Sequence, residues 1–452
     1  MRELAYRRPV RKTPHRARAE RNALNTERKS ESGAKVLRWL VYPLVFLSPF
    51  GETVLSIPFA GFQLSLFRVL AALTFFAFIT RWSNATIIPR SRSGYSIVFY
   101  MAWLAYALTT GLWALDYLRW FKYIFFIATG LMVALSMNAY LTKREFVEKA
   151  LLALFAGFVV QSIVGWYEVS TQTLVIGAQE RIELYESRRV FYPCAFSGHP
   201  NSLAMMMMFA SGISLYFVRK TRSMAVKAAL TVIAIECAAL ILQTTSRGAF
   251  IGLAIFLACY LLLSGHKYLT AFVAVIALVV LGPYFLEFAN TYLAFHFDWN
   301  AGGSDVIRWN LIRNGLVLLS NTFGFGVGAG QIESNMIAFA TYPTFGIINM
   351  HNWWMEILVG FGILIFIGYL VFYGRLLNDF IKTFKTSTHA EERELAKFGI
   401  AIMAGFVIAS ISASSNMVCD WLWVFWGILI GWQGNCSILT SVAKPHAQGR
   451  DE

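Results

Sequence analysis

The chain has 452 residues, 57% of them hydrophobic and 14% charged, with a formal net charge of +14 and a mean hydropathy of +0.55. A soluble domain carries about a quarter charged residues, so a soluble globular protein is excluded. Apolar runs of about twenty residues, each able to cross roughly 30 Å of hydrocarbon as a helix, recur along nearly the whole length. The fold class expected is therefore an all-α, polytopic integral membrane protein.

The chain begins with a basic tail, residues 1–35, whose polar and charged composition (RRPVRKTPHRARAERNALNTERKSESG) predicts disorder. It is too long and too charged for the n-region of a signal peptide, and no cleavage site follows the first apolar run. A transmembrane domain over 36–436 then reads as twelve spans: 36–57, 63–80, 95–114, 119–139, 149–168, 200–218, 224–243, 247–264, 268–288, 351–374, 397–415 and 418–436. Pro43 and Pro49 interrupt the first of these. A short tail, 437–452, closes the chain.

Basic residues set the orientation. Twelve Lys and Arg lie between Arg2 and Arg38, and alternate loops repeat the bias. These are Arg81, Arg90 and Arg92; Lys143, Arg144 and Lys149; Arg219, Lys220, Arg222 and Lys227; Lys267; and Arg375, Lys382, Lys385, Arg393 and Lys397. Lys444 and Arg450 follow in the C-terminal tail. The positive-inside rule then places both termini in the cytoplasm. The positive charge is thus a topology signal that suits anionic headgroups, and no nucleic-acid partner is expected, because the aromatic residues lie in the spans.

Two outer segments are long, 169–199 and the extracytoplasmic loop 289–350 between spans 9 and 10. In the second, apolar residues at helical spacing from Val306 to Val317 predict a helix over 304–319, lying along the membrane surface and projecting Arg308 and Arg313. The following GFGVGAG lacks the Lys-Ser/Thr of a P-loop and is expected to be a flexible turn. The five cysteines form no CxxC pair, and no cluster has metal-ligand spacing, so neither a metal nor any other cofactor is expected. A Cys194–Cys419 disulfide stays open, since both are assigned outside.

Three residues converge on the outer side. Arg247 breaks the apolar run in LQTTSRGAFIGL between spans 7 and 8; Arg308 sits in the long loop; His351 opens span 10 in NMHNWWMEILVGFG. Arg68, inside LSLFRVLAAL, is a charge within a span and so a functional candidate. Trp353 and Trp354 read as an interfacial aromatic belt. Arginines pair with phosphate oxygens, and a neutral imidazole can take a proton from a sugar hydroxyl. The set Arg247, Arg308 and Arg68 suits a lipid-linked diphosphate, and His351 suits the base.

At these residues the sequence resembles the O-antigen ligase and polymerase superfamily, through RVFYPCAFSGHPNSLAMMM, TTSRGAFIGL, SDVIRWNLI, FGFGVGAG and HNWWMEILVGFG, in that order. The resemblance implies a GT-C-like membrane glycosyltransferase of surface or exopolysaccharide biosynthesis. It would work at the outer face of the cytoplasmic membrane on an undecaprenyl-diphosphate-linked oligosaccharide. The acceptor would be a glycan, lipid or protein hydroxyl, and other polysaccharide-assembly proteins are implied as partners. A polymerase is favoured over a ligase.

By that resemblance Arg247 and Arg308 engage the donor diphosphate, Arg247 also aids catalysis, and His351 is the base. Asn352, Glu356, Arg313 and Asn201 stand as supporting residues. One departure leaves any carboxylate role open: Gly360 stands near the position where members commonly have an acid, with Glu356 one turn earlier and Ile365 replacing a glycine. The alternative class is a transporter or flippase for a lipid-linked oligosaccharide, against which the lack of an internal repeat speaks.

Overall fold

The structure is a computed structural model that describes residues 39–52, 56–59, 62–79, 93–176, 191–276, 279, 282, 304–413 and 416–442. The basic tail 1–35, most of the charged part of 169–199, the end of span 268–288, loop residues 289–303 and the last ten residues lie outside the described residues.

Helices account for nearly all of it. In chain order they are α1 (Trp39–Phe50), α2 (Leu66–Ile79), α3 (Gly94–Trp113), α4 (Tyr117–Tyr140), α5 (Arg144–Thr171), α6 (Pro200–Lys220) and α7 (Met224–Gln243). Then follow α8 (Arg247–Leu263), α9 (Lys267–Ile276), α10 (Ser304–Asn321), α11 (Ile332–Phe339), α12 (Trp353–Thr386), α13 (Ala390–Ala409) and α14 (Asp420–Val442). Among the described residues, six helices, α3 to α7 and α12, are long and apolar enough to cross a membrane. Each of the twelve expected spans overlaps one of these helices, the 268–288 span only over its first part. The α7 and α8 boundaries agree with the sequence reading to within a residue, because a compact turn of Thr244, Thr245 and Ser246 separates two uniformly apolar runs.

Two expectations change at the first spans. The helix expected over 36–57 ends at Phe50, where Gly51 takes φ 57°, and its described length of about 18 Å falls short of a bilayer. The chain is also not purely helical. Strands β1 (Ser56–Phe59) and β2 (Phe62–Ser65) pair antiparallel, with Ser56 opposite Ser65, in a small hairpin that leads into α2.

Lipid tails are as apolar as leucine, so apolar burial alone gives membrane helices little reason to associate; close backbone approach and interhelical hydrogen bonds do that work. The α8–α13 contact shows it best. Gly248 and Gly252, four residues apart, meet Gly405, Ala409 and Ser412 so closely that a Cβ on Gly252 would stand 2.8 Å from the Gly405 carbonyl oxygen. Conversely, a Cβ on Gly405 would stand 2.6 Å from the Gly252 oxygen.

A second interior element is aromatic. Trp103 of α3, Trp353 and Tyr369 of α12, and Trp423 and Trp426 of α14 are buried together with Phe99, Phe361, Phe372 and Phe406. Trp103 meets Phe361 edge-on at 5.4 Å, and Trp353 Nε1 donates to the Tyr369 hydroxyl at 2.8 Å. Trp354 Nε1 donates to the Val407 carbonyl at 3.1 Å. The expected aromatic belt is therefore corrected: the indole N–H groups of Trp353 and Trp354 find partners inside the bundle.

The bundle has two chemically different ends. At one, the basic loops are tied together by ion pairs: Arg144 with Glu148 and Glu391, Lys220 with Glu148, Arg219 with Glu394, and Lys397 with Glu394. The other end gathers the residues singled out above. Gly252→Leu should push α8 off α13, costing about 1–3 kcal/mol or more, because the obstructing atoms are backbone. Gly374→Leu, facing open space on α12, should leave the unfolding temperature of the purified protein in detergent unchanged.

Candidate functional site

Arg247 is the first residue of α8, with Ser246 at its N-cap. The turn before it is braced locally, since Thr244 Oγ1 donates to Ile241 O at 2.6 Å and accepts from Ser246 N at 3.3 Å. Thr245 takes φ 54° to close it. The glycines of Ser-Arg-Gly and of the following turn then seat this corner against the turn that ends α13, where Ser246 Oγ lies 3.5 Å from Ser412 Oγ.

The same turn of α13 receives α12. Ser410 O accepts the Trp353 N–H at 3.0 Å. Asn352 caps α12, its Oδ1 accepting from Trp354 N at 3.1 Å and from Met355 N at 3.3 Å. That assigns the Asn of the His-Asn pair a structural task, the satisfaction of orphan N–H groups at a helix start. His351, just before the cap, has φ 46°, a left-handed conformation that costs a non-glycine residue about 1–3 kcal/mol and gathers at functional sites.

Arg308 reaches the site through α10, a helix as expected, though longer than 304–319. Its buried face, Ile307, Leu311 and Leu318, packs with Met350 and Val359, and Gly315 allows the close approach. Two buried asparagines one turn apart fix the strand of chain that leads to His351. Asn310 Nδ2 donates to Pro343 O at 3.0 Å, and Asn314 Nδ2 to Tyr342 O at 2.9 Å. Asn314 Oδ1 accepts from Thr341 N and Tyr342 N, each at 2.9 Å. Arg313 lies over the Tyr342 ring at 3.6 Å, which makes it a positioning residue for the same segment.

The loop after α10 departs from the flexible turn expected. Val327 N donates to Val359 O, Gly328 N to Gly360 O and Ile363 N to Gly324 O, each at 2.9 Å. These bonds hold α12 where Gly362, with φ 79°, breaks its helical path. A Cβ on Gly326 would stand 2.5 Å from Gly362 N, so backbone packs on backbone there. On the loop's other side, Gln331 accepts from Leu115 N and Asp116 N, and Arg119 pairs with Glu333. The glycines serve contact, not mobility.

Two expected members have other partners. Arg68 is 1% exposed, with its guanidinium 2.8 Å from Glu52, 3.8 Å from Asp420 and donating to Gln63 O at 2.6 Å. Its charge is matched within the protein, tying α2, the hairpin and the start of α14. Glu356 is buried and accepts the Asn416 N–H at 3.0 Å, which fixes the turn before α14. Asn201 donates its backbone N–H to His199 Nδ1 at 3.2 Å. Cys194 and Cys419 are both free thiols.

Sequence reasoning gave His199 too little weight. Its ring lies 5.5 Å, centroid to centroid, from that of His351. Glu236, a charge inside α7, was also missed; it accepts from Ser162 Oγ at 2.9 Å and Trp166 Nε1 at 2.7 Å, a lateral tie between α7 and α5. A carboxylate within an apolar run was a readable signal for it.

Residues 229–370 match the O-antigen ligase family (Wzy_C), a stretch that contains Arg247, Arg308 and His351. The teichuronic acid biosynthesis protein TuaE of Bacillus subtilis (strain 168) is 25% identical over 420 residues, covering 86% of this chain and 83% of its own length. Both matches support the resemblance to the O-antigen ligase and polymerase superfamily. Together with the long apolar helices, the family match points to a multi-pass membrane protein.

The electrostatics at the His351–Asn352 pair are distinctive. Burial, and next the Arg308 charge, push the His351 pKa down from 6.5 to about 4. The neutral ring is thus favoured through the physiological range, as a base requires. Between pH 6.5 and about 4 the unfolded chain would bind a proton that folded His351 refuses, so this group's contribution to stability is lost as the pH falls through that window. In the kcat/KM profile, the acid limb should lie well below pH 6.5, and Arg308→Gln should move it upward while slowing the reaction. His351→Gly should abolish activity yet leave thermal stability equal or higher, since it relieves the left-handed strain.

Proposed function

We propose that the protein is a membrane glycosyltransferase that polymerises a surface polysaccharide, taking glycan from an undecaprenyl-diphosphate-linked donor at the outer face of the cytoplasmic membrane. The observation that carries this is His351, whose backbone is left-handed and whose imidazole pKa is pushed down by burial and by the Arg308 charge, beside the turn of α13 that also seats Arg247. The basic loops at the opposite end support placing this end outside and both termini in the cytoplasm.

In the reaction, Arg247 and Arg308 would hold the donor diphosphate through paired, charge-assisted hydrogen bonds. His351 takes the proton of the acceptor hydroxyl as its oxygen attacks the anomeric carbon from the face opposite the leaving group. The bond to the diphosphate oxygen breaks, the configuration inverts, and the arginines stabilise the charge that develops. Asn352 holds the backbone of the base, and Arg313 holds the segment before it. The acceptor is another lipid-linked glycan on this reading, and a likeness to a teichuronic acid biosynthesis protein favours such a polymeric product.

The test is incubation of the purified protein in liposomes with an undecaprenyl-diphosphate oligosaccharide and no other acceptor, followed by sizing of the lipid-linked products. A ladder of lengthened glycans that disappears in His351→Ala is expected. Arg247→Ala, which leaves the glycine contact intact, should slow the ladder by about 10²–10³-fold without loss of folded protein. If wild type gives no ladder, polymerisation is overturned, and adding a lipid or protein acceptor, then a flipping assay, separates ligase from transporter.

A further inference from the structure

We propose that His199 is a second imidazole of this site, a fixed N–H donor that meets an oxygen of the lipid-linked donor beside His351. The inference rests on the glycosyltransferase reading and adds a substrate contact to it. The two rings approach from different helices, His199 ahead of α6 and His351 ahead of α12, with their planes tilted by 51° at 5.5 Å.

The tautomer of His199 is set by its neighbour. Nδ1 accepts the Asn201 N–H at 3.2 Å, and a backbone N–H can only donate, so the neutral ring carries its proton on Nε2. Pro200, at the first helical position, has no N–H of its own and makes Asn201 the first donor to be capped. Placing a proton on Nδ1 would break this cap. His199 therefore cannot serve as a base or relay. It offers a donor in a fixed direction.

The segment that carries the ring is held more firmly than a helix cap requires. Glu168, fully buried near the end of α5, accepts Cys194 N at 2.7 Å, Ala195 N at 2.8 Å and Val175 N at 2.9 Å. Gln161, also fully buried, accepts Phe196 N at 3.1 Å and donates to Pro49 O at 2.6 Å. Ser197 Oγ then donates to Cys194 O at 2.6 Å, and Gly198, with φ 67°, turns the chain into His199. Burying a carboxylate and an amide carries a desolvation cost, offset here by bonds that fix the backbone just ahead of the ring. Capping alone calls for Ser, Thr, Asn or Asp, and histidine is not among the preferred types. A ring that faces the base accounts for both the residue type and its bracing.

No bond to His199 forms or breaks. The acceptor proton goes to His351, the leaving electron pair goes to the diphosphate oxygen, and His199 keeps its proton while donating to the donor throughout. Its part is to hold the reacting groups in register, the kind of orientation on which such a displacement depends.

His199→Asn separates the two roles, because asparagine is a strong N-cap but has no imidazole. This variant should elute and unfold as wild type does and transfer glycan roughly 100- to 1,000-fold more slowly, the order seen when one preorganised donor is lost. His199→Ala should be both slower and less stable. A second readout needs no turnover: diethyl pyrocarbonate modification of the wild-type histidines, mapped by mass spectrometry, with and without the undecaprenyl-diphosphate oligosaccharide. The donor should shield His199 and His351 together. A wild-type rate in His199→Asn, or shielding of His351 with His199 modified as before, overturns the inference and leaves the glycosyltransferase reading standing. Shielding of neither ring overturns both.

Discussion

Everything at the functional end of this protein depends on how closely α8 and α13 lie. In a bilayer, apolar side chains gain little by leaving lipid for protein, so the helices must be held by contacts that lipid cannot provide. Gly252 against Gly405 and Ala409 supplies such a contact, backbone against backbone, and Gly248 lets Ser412 come close beside it. The consequence runs one turn further. Ser246 meets Ser412, Ser410 receives Trp353, and the residues that neighbour them, Arg247 and His351, are brought to the same turn of α13. A longer side chain at these glycines would change the distance between a cation and a base, not merely the packing.

The second arm of the site follows the same logic. Arg308 is carried by a helix in the long loop, and a loop is a poor place for precision unless it is tied down. Here GFGVG lies along the break in α12 at Gly362, Gln331 and Glu333 anchor it to the α3–α4 corner, and Asn310 and Asn314 clamp the chain leading to His351. Buried polar groups elsewhere hold turns in the same way: Glu356 at Asn416, Glu168 at Cys194 and Ala195, Arg68 between Glu52 and Asp420. At the opposite end, carboxylates are spent on neutralising the basic loops.

What was legible in the sequence was what local pattern and local charge determine. Apolar run length marked the helices, the Thr-Thr-Ser break marked the α7–α8 turn, and helical spacing marked α10. Chemistry and family resemblance singled out the His-Asn pair, the Ser-Arg-Gly arginine and the loop arginine as a set, and the structure brings the Arg308 charge to His351. The hidden features all depend on partners far away in sequence. Nothing beside Arg68 announces Glu52 at its guanidinium or Asp420 beyond, and nothing beside Trp353 announces Tyr369 and Ser410. GFGVGAG reads as a flexible turn until the Gly360–Gly362 backbone is beside it. His199 reads as an ordinary cap until α12 brings a second ring to it. The hairpin at Ser56–Ser65 is too short to show a period against the apolar runs on either side.

The central claim is that Arg247 and Arg308 hold one diphosphate beside His351. The most direct measurement is a cryo-electron microscopy structure of His351→Asn, which keeps a residue tolerant of the left-handed turn, in a nanodisc with the undecaprenyl-diphosphate oligosaccharide bound. The account predicts the diphosphate within hydrogen-bond reach of both guanidinium groups, with the first sugar against residue 351. A diphosphate bound at the other end of the bundle, or touching neither arginine, would contradict it.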